Sequence, residues 1–307
     1  MKHRRRVLTL AAAIVAAVAA SSPAQASVVI ARDARNPTLQ VDKAGRALIV
    51  YTDAKGPHRL LAWGALNDQV VFKLDYSGGW GTFRKPLWKT FKNTCGPYDG
   101  PPLTWLVLGC KAPDGSYWAL QSWQRLLPSF GRDPRSPLQS AWELRLSHWT
   151  GELPKLEVWQ DWVYSVRLEN LVFHYSYLGK PVFGFKATAA GNPLDPYGRN
   201  IYVDSFNSAY GQGWKRANGL LTHNPTGALC MAFGGADFLP DQRAVNHGRG
   251  ERYRATVEGA GVAPDVYWEG PSIGSFDPSN PAHQQLESTV RELVLSWGET
   301  DKRCTTE

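Results

Sequence analysis

The chain has 307 residues, with 34 Lys and Arg against 27 Asp and Glu, and 13 tryptophans. Four of the cations (Lys2, Arg4, Arg5 and Arg6) crowd the amino end, so the rest of the chain carries 30 basic and 27 acidic residues, a net charge of +3 rather than +7. With that balance, and with no Lys/Arg cluster on a predicted helix, nucleic acid is excluded as the expected partner.

The first residues read as a secretion signal peptide over 1–26. A basic head is followed by an apolar run from Val7 to Ala20 and by Ala24-Gln25-Ala26, a small-x-small cleavage site. The run is roughly 14 residues, short of the ~20 that a membrane span needs. Arg4-Arg5-Arg6-Val7-Leu8 fits the core of a twin-arginine signal, but His3 stands where Ser or Thr is usual. A Sec-type signal is the simpler reading. The expected mature product is a secreted or extracellular monomer with no membrane attachment, a single β-rich domain over 27–307. In an oxidising compartment its four cysteines predict two disulfides, Cys95–Cys110 and Cys230–Cys304.

Thr38 to Ala65 predicts a three-stranded meander with turns at Asp42-Lys43-Ala44-Gly45 and Asp53-Ala54-Lys55-Gly56. No copy follows at a fixed period, which excludes a propeller. A fourth strand is expected at Val70 to Leu74, then a glycine loop around Trp80. Strands at Trp105–Leu108 and Tyr117–Leu126 flank the turn Pro113-Asp114-Gly115.

Ala141 to Val163 alternates apolar and polar residues on both sides of Gly151 and Pro154, which predicts a β-hairpin folding back at Glu152. In that register Trp142 faces Trp162 on a core side. Glu143 faces Asp161 and Arg145 faces Trp159 on the other side, near Trp149. A further hairpin is expected over Leu168–Tyr177 and Pro181–Thr188, and strands at Ile201–Phe206 and Leu229–Phe233. Ser208–Leu220 reads as a glycine-containing connection. Tyr253–Glu258 and Asp265–Trp268 predict a pair of strands across Gly259-Ala260-Gly261. The one helix is terminal, capped by Asn280 with Pro281 at its first position. Its apolar stripe is Leu286, Val290, Leu293, Val294 and Trp297, and Gly298 is its expected end. These elements together predict an all-β antiparallel sandwich or jelly-roll-like domain with one C-terminal helix.

Tryptophan is the residue in excess. Exposed indoles on a sheet face stack on sugar rings, because both present broad apolar faces with polar edges. Trp149 and Trp159, with Trp80 and Trp123 further off and Arg145 among them, form the expected ligand platform, and a glycan is the expected partner. Glu143 and Asp161 are the candidate acid and nucleophile of a glycoside hydrolase, since a retaining pair needs carboxylates about 5 Å apart. A structural protein with all its aromatics buried is the third reading.

Other motifs carry less. Gly270-Pro271-Ser272-Ile273-Gly274 fits G-x-S-x-G, but no helix follows directly, so a plain loop is the expectation. Asp195, Asn200, Asp204 and Asn207 bear calcium-type oxygens without calcium-loop spacing, and turn capping explains them more simply. His223 stands alone in a loop. No zinc spacing, phosphate loop or dinucleotide fingerprint is present, so neither metal nor cofactor is expected.

Overall fold

A computed structural model describes residues 27–64, 66–67, 87–124, 141–163, 168–181, 200–208, 211–221, 232–235 and 250–300. Trp80, Asp195, His223, Cys230 and Cys304 lie outside these residues, as does the strand expected at Val70–Leu74. In chain order the strands begin with β1 (Val28–Arg32), β2 (Arg35–Val41), β3 (Ala47–Asp53) and β4 (Gly56–Ala62). A single helical turn, α1 (Leu87–Thr90), precedes β5 (Gly96–Pro97), β6 (Leu106–Lys111), β7 (Tyr117–Trp123), β8 (Glu143–Trp149) and β9 (Lys155–Val163). Then come β10 (Leu168–Tyr177), β11 (Lys180–Pro181), β12 (Asn200–Ser208), β13 (Gly211–Leu221), β14 (Ala232–Gly235), β15 (Arg252–Val257) and β16 (Val266–Pro271), and the last described element is helix α2 (Pro281–Thr300). The protein is mostly β, its sheets antiparallel, with a single C-terminal helix.

Among the described residues the strands form four sheets, ordered β1-β8-β7-β6-β5, β2-β3-β4, β13-β12-β15-β16 and β11-β10-β14, with β9 added on β10. Period-2 alternation places the core. Val41, Ala47, Ile49, Tyr51 and Ala62 of the β2-β3-β4 sheet pack with Trp118, Leu120, Leu144 and Leu146 of the β1-β8-β7 sheet. A second cluster joins Leu171, Phe173 and Tyr175 of β10 to Ile201 and Val203 of β12 and to Tyr253, Ala255 and Val257 of β15. The opposite side of β10 carries Val172, which meets Trp159 of β9 and Leu286 and Val290 of α2.

The meander forms as its local turns dictate, and β6 with β7, β10 with β11, and β15 with β16 pair as neighbours. Asn280 caps α2, its Oδ1 accepting from the Ala282 N–H at 3.0 Å. The helix continues through Gly298 to Thr300 instead of stopping at the glycine. The stretch expected as a connection after Ser208 is the strand β13. It pairs along β12 with two irregularities that absorb its extra residues.

The hairpin expected at Glu152 does not form. β8 lies between β1 and β7, with Leu146 opposite Val28 on one side and Leu120 on the other. β9 pairs with β10, placing Asp161 opposite Asn170 and Trp159 opposite Val172. The alternation correctly made both segments strands, but it does not choose the neighbour, and β8, buried along its whole length, is paired on both edges with β1 and β7. Trp142 consequently lies outside the core at 46% exposure.

Cys95 and Cys110 are joined by a disulfide, Cα–Cα 5.7 Å, across a separation of 15 residues. Replacing both with serine is expected to remove about 3 kcal/mol of stability. A denaturant midpoint unchanged from the parent's in urea titration would contradict this.

Candidate functional site

The sheet β13-β12-β15-β16 has one side turned to the core and one aromatic, charged side. Ile201, Val203, Tyr253, Ala255 and Val257 point to the core. The intervening residues therefore share the opposite face: Tyr202, Asp204 and Phe206 on β12, Arg252 and Arg254 on β15, and Tyr267 and Glu269 on β16. β13 adds Trp214 opposite Phe206 and Arg216 opposite Asp204.

Rings and guanidiniums alternate along this face. The Arg254 guanidinium lies 4.5 Å from the Trp214 ring centre and 4.9 Å from that of Trp105. Arg252 lies over Trp214 at 5.6 Å and over Phe206 at 5.8 Å. Trp105 meets Tyr267 edge-on at 5.6 Å and Trp142 at 6.5 Å, which carries the row out to an exposed indole. The chain continues from Trp105 into Leu106 and Val107, both exposed.

Acids hold the cations in place. Asp204 accepts from Arg254 Nε at 2.7 Å and, through its other oxygen, from Arg216 Nε. Glu269 pairs with Arg252 and accepts the Tyr267 hydroxyl. Burial pushes the Tyr267 phenol up, against the pull of Arg254 and Arg252. Chemically the face offers flat apolar rings for stacking, guanidinium edges that donate and carboxylates that accept.

A buried polar junction backs this row. Arg145, fully buried, donates through Nη2 to Glu143 at 2.9 Å and to Glu258 at 2.8 Å, and through Nη1 to Ser27 Oγ at 3.0 Å. Asp265 stands 3.8 Å from Nη1 and accepts from Trp123 Nε1 at 2.6 Å and from the Gly259 N–H at 2.9 Å. Gln121 clamps the Asp265 backbone from both sides, at 2.8 and 3.1 Å. Arg145 also lies over the Trp123 ring, 4.6 Å from its centre, and Trp123 meets Tyr202 at 5.5 Å. Burial works to lower the Arg145 pKa, but Asp265, Glu258 and Glu143 outweigh it and hold the guanidinium above its ordinary value. Burial pushes the Asp265 carboxyl up, opposed by Arg145 and by its hydrogen bonds.

The residues expected to act together are thus dispersed. Glu143 and Arg145 belong to the buried junction, and Glu143 is bound further by Arg32 at 3.3 Å. Trp149 and Trp123 are buried, at 0% and 1% exposure, so neither is a platform for a ligand. Trp149 is packed against Tyr117 and Tyr98. Trp159 is half-buried under α2. Asp161 is buried too, on a different sheet from Glu143, and accepts from Asn170 Nδ2 at 2.9 Å. Ser272 of the G-x-S-x-G stretch donates to the buried Glu169, which also accepts the Ile273 N–H, so the loop is held as structure. Asp204 serves two arginines, and Asn207 Oδ1 accepts the Gly213 N–H of β13.

Trp105, Trp142, Trp214, Arg252 and Arg254 were not expected to come together. Alternation in Arg252–Val257 does put both arginines on the side away from Tyr253 and Ala255, so that half of the site was readable. Nothing in the glycine-flanked Trp214 or the loop residue Trp105, with its positive φ of 63°, marks either as part of a sheet face.

Comparison with known proteins gives no match: no family model fits the chain, and neither a curated protein nor a solved structure is similar to it.

Two outcomes follow from these charges. Arg145→Met leaves Glu143, Glu258 and Asp265 buried without their shared cation and is expected to cost roughly 3–5 kcal/mol in equilibrium unfolding. A loss below about 1 kcal/mol would show that the junction is not buried as described. Burial, reinforced by Glu287 on α2, pushes the Asp161 carboxyl up against its hydrogen bond from Asn170. A raised carboxyl favours the folded chain most while protonated, below its ordinary pKa of about 3.9, and that contribution disappears as pH rises through the folded value. Asp161→Asn should therefore raise Tm at neutral pH and match the parent in strong acid. A Tm lowered at neutral pH would contradict the shift.

Proposed function

We propose that the protein is exported and binds a glycan of the cell envelope or its surroundings on the aromatic–arginine face. The observation that carries this reading is Trp142, a large indole 46% exposed at the end of a row in which Trp105, Arg254, Trp214 and Arg252 are in mutual contact. An exposed tryptophan continuous with a rigid ring row offers a sugar a stacking surface that costs little entropy to hold. The guanidinium edges and the partly exposed Glu269 carboxylate supply directional partners for ring hydroxyls, while buried Asp204 holds two of the arginines in place. The amino-terminal basic head, apolar run and Ala24-Gln25-Ala26 support export.

Glycan-array screening followed by calorimetry tests the reading. Trp142→Ala is expected to weaken binding at least about tenfold, some 1.4 kcal/mol. Its exposure leaves the fold intact, which circular dichroism checks. Trp159→Ala, which lies under α2 and away from the row, should leave the affinity unchanged. Binding that survives Trp142→Ala and Arg252→Ala at full strength would refute the assignment of this face.

A further inference from the structure

Ser27, the residue directly after the expected cleavage site, is fully buried and is part of the junction around Arg145. Its hydroxyl donates to Asp265 Oδ1. Arg145 Nη1 donates to the Ser27 hydroxyl at 3.0 Å and to its carbonyl at 3.4 Å. Val28 already opens β1, paired with Leu146. An export leader is normally cut from an exposed, extended chain, and the residue left at the new terminus is usually solvated and frayed. Here that residue is held by three polar contacts to two charged side chains in the interior.

We propose that the Ala26–Ser27 bond is the maturation site and that the α-ammonium released there becomes a structural cation, held beside the Asp265 carboxylate. The proposal rests on the export reading above. Water, delivered by an endopeptidase of the export machinery, adds across the peptide bond: its hydroxyl goes to the Ala26 carbonyl carbon and a proton to the Ser27 nitrogen. The C–N bond breaks, Ala26 leaves as a carboxylate, and the new amine takes up a proton from solvent.

Covalent geometry places the charge. The Ser27 nitrogen is at most about 4 Å from its own Oγ, which is itself in hydrogen-bond contact with Asp265. That bounds the nitrogen to within roughly 6 Å of the carboxylate, near enough for the negative charge to favour the charged amine. The other charged groups facing the position are Glu143 and Arg145 from β8, Glu258 from the connection between β15 and β16, and Arg32 from β1, which lies against Glu143. Arg145 opposes a second cation, while the three carboxylates favour it. Because Ser27 is buried in the folded chain, the bond must be cut before β1 closes against β8.

The experiment compares the chain starting at Ser27 with a free amine, the same chain carrying an Nα-acetyl group installed by peptide ligation before folding, and both forms with Asp265→Asn. The free amine is expected to raise Tm by at least about 2–4 °C over the acetylated chain at pH 6. That advantage should vanish in the Asp265→Asn pair. It should be complete below the ordinary α-amino pKa of about 7.7–8.0 and be lost as pH rises through the higher folded value. If Asp265→Asn does not fold, Ser27→Gly, which keeps the amine, should retain the difference between free and capped forms. Equal Tm values for free and acetylated chains at pH 6 would overturn the proposal. Amino-terminal sequencing of the exported protein separates the two readings: cleavage elsewhere with glycan binding intact defeats this inference alone, whereas retention inside the cell defeats the export reading.

Discussion

One guanidinium ties the β1-β8-β7-β6-β5 sheet to the connection between β15 and β16. Arg145 reaches Glu143 on its own strand and Glu258 in that connection, and stands beside Asp265 at the connection's far end. Taking such a cation out of water costs several kcal/mol, and only good geometry with saturated hydrogen bonding offsets it. The residues around it meet most of that need: both Nη atoms donate, to Glu143, Glu258 and Ser27, while the buried Nε has no hydrogen-bond partner among the described residues, and Asp265 is itself held firmly. Gln121 bonds both the N–H and the carbonyl of Asp265, Trp123 bonds its carboxylate, and the backbone of His148 bonds that of Val262. An apolar contact of the same size would tolerate a shift of a residue or two. The junction does not, so it fixes which part of the β15–β16 connection lies on β8 and in what register.

The outer row inherits its order from that anchor. Trp123 touches Arg145 on one side and Tyr202 on the other, and Tyr202 carries Arg216 over its ring at 5.1 Å. Arg216 and Arg254 then share Asp204, which sets Arg254 between Trp105 and Trp214. Individual cation–π contacts are worth about 0.5–2 kcal/mol, too little to order a surface alone. Linked through one carboxylate and backed by a buried ion cluster, they hold the aromatic rings in fixed positions, as a stacking surface for a ligand requires.

What could be read in the sequence divides by distance along the chain. Strands whose partners are one tight turn away, as in the β2-β3-β4 meander and the β15–β16 pair, are legible because the turn residues and the alternation agree. β8 and β9 alternate just as clearly, yet Leu146 finds Val28 and Leu120, and Trp159 finds Val172. Period-2 alternation says that a segment is a strand and which residues share a face. It says nothing of which strand lies alongside. That gap misplaced Trp149 and Trp142: with a local partner the first is outside and the second inside, and with the non-local ones the positions reverse. β13 was missed for another reason. Its glycines and its irregular pairing break the alternation that marks a strand. The arginines of β15 were legible as a face, but the row they belong to depends on Trp105 and Trp214, which reach it from a loop and from an edge.

The same long-range logic bears on assembly. Ser27 and Asp265 are 238 positions apart, and β1 meets β8 more than a hundred residues downstream. Closing loops of that size costs entropy before any contact repays it, so such pairings form late. Ser27 therefore lacks its Asp265 partner until the β15–β16 connection exists, which requires nearly the whole chain to have emerged. A chain threaded across a membrane in an extended state meets that condition only on the far side, after its leader has been within reach of a protease. A chain exported already folded would have to expose Ser27 again before it could be cut. On the export reading proposed above, burial of Ser27 favours the unfolded route over the twin-arginine one, a choice the residues Arg4-Arg5-Arg6-Val7-Leu8 leave open.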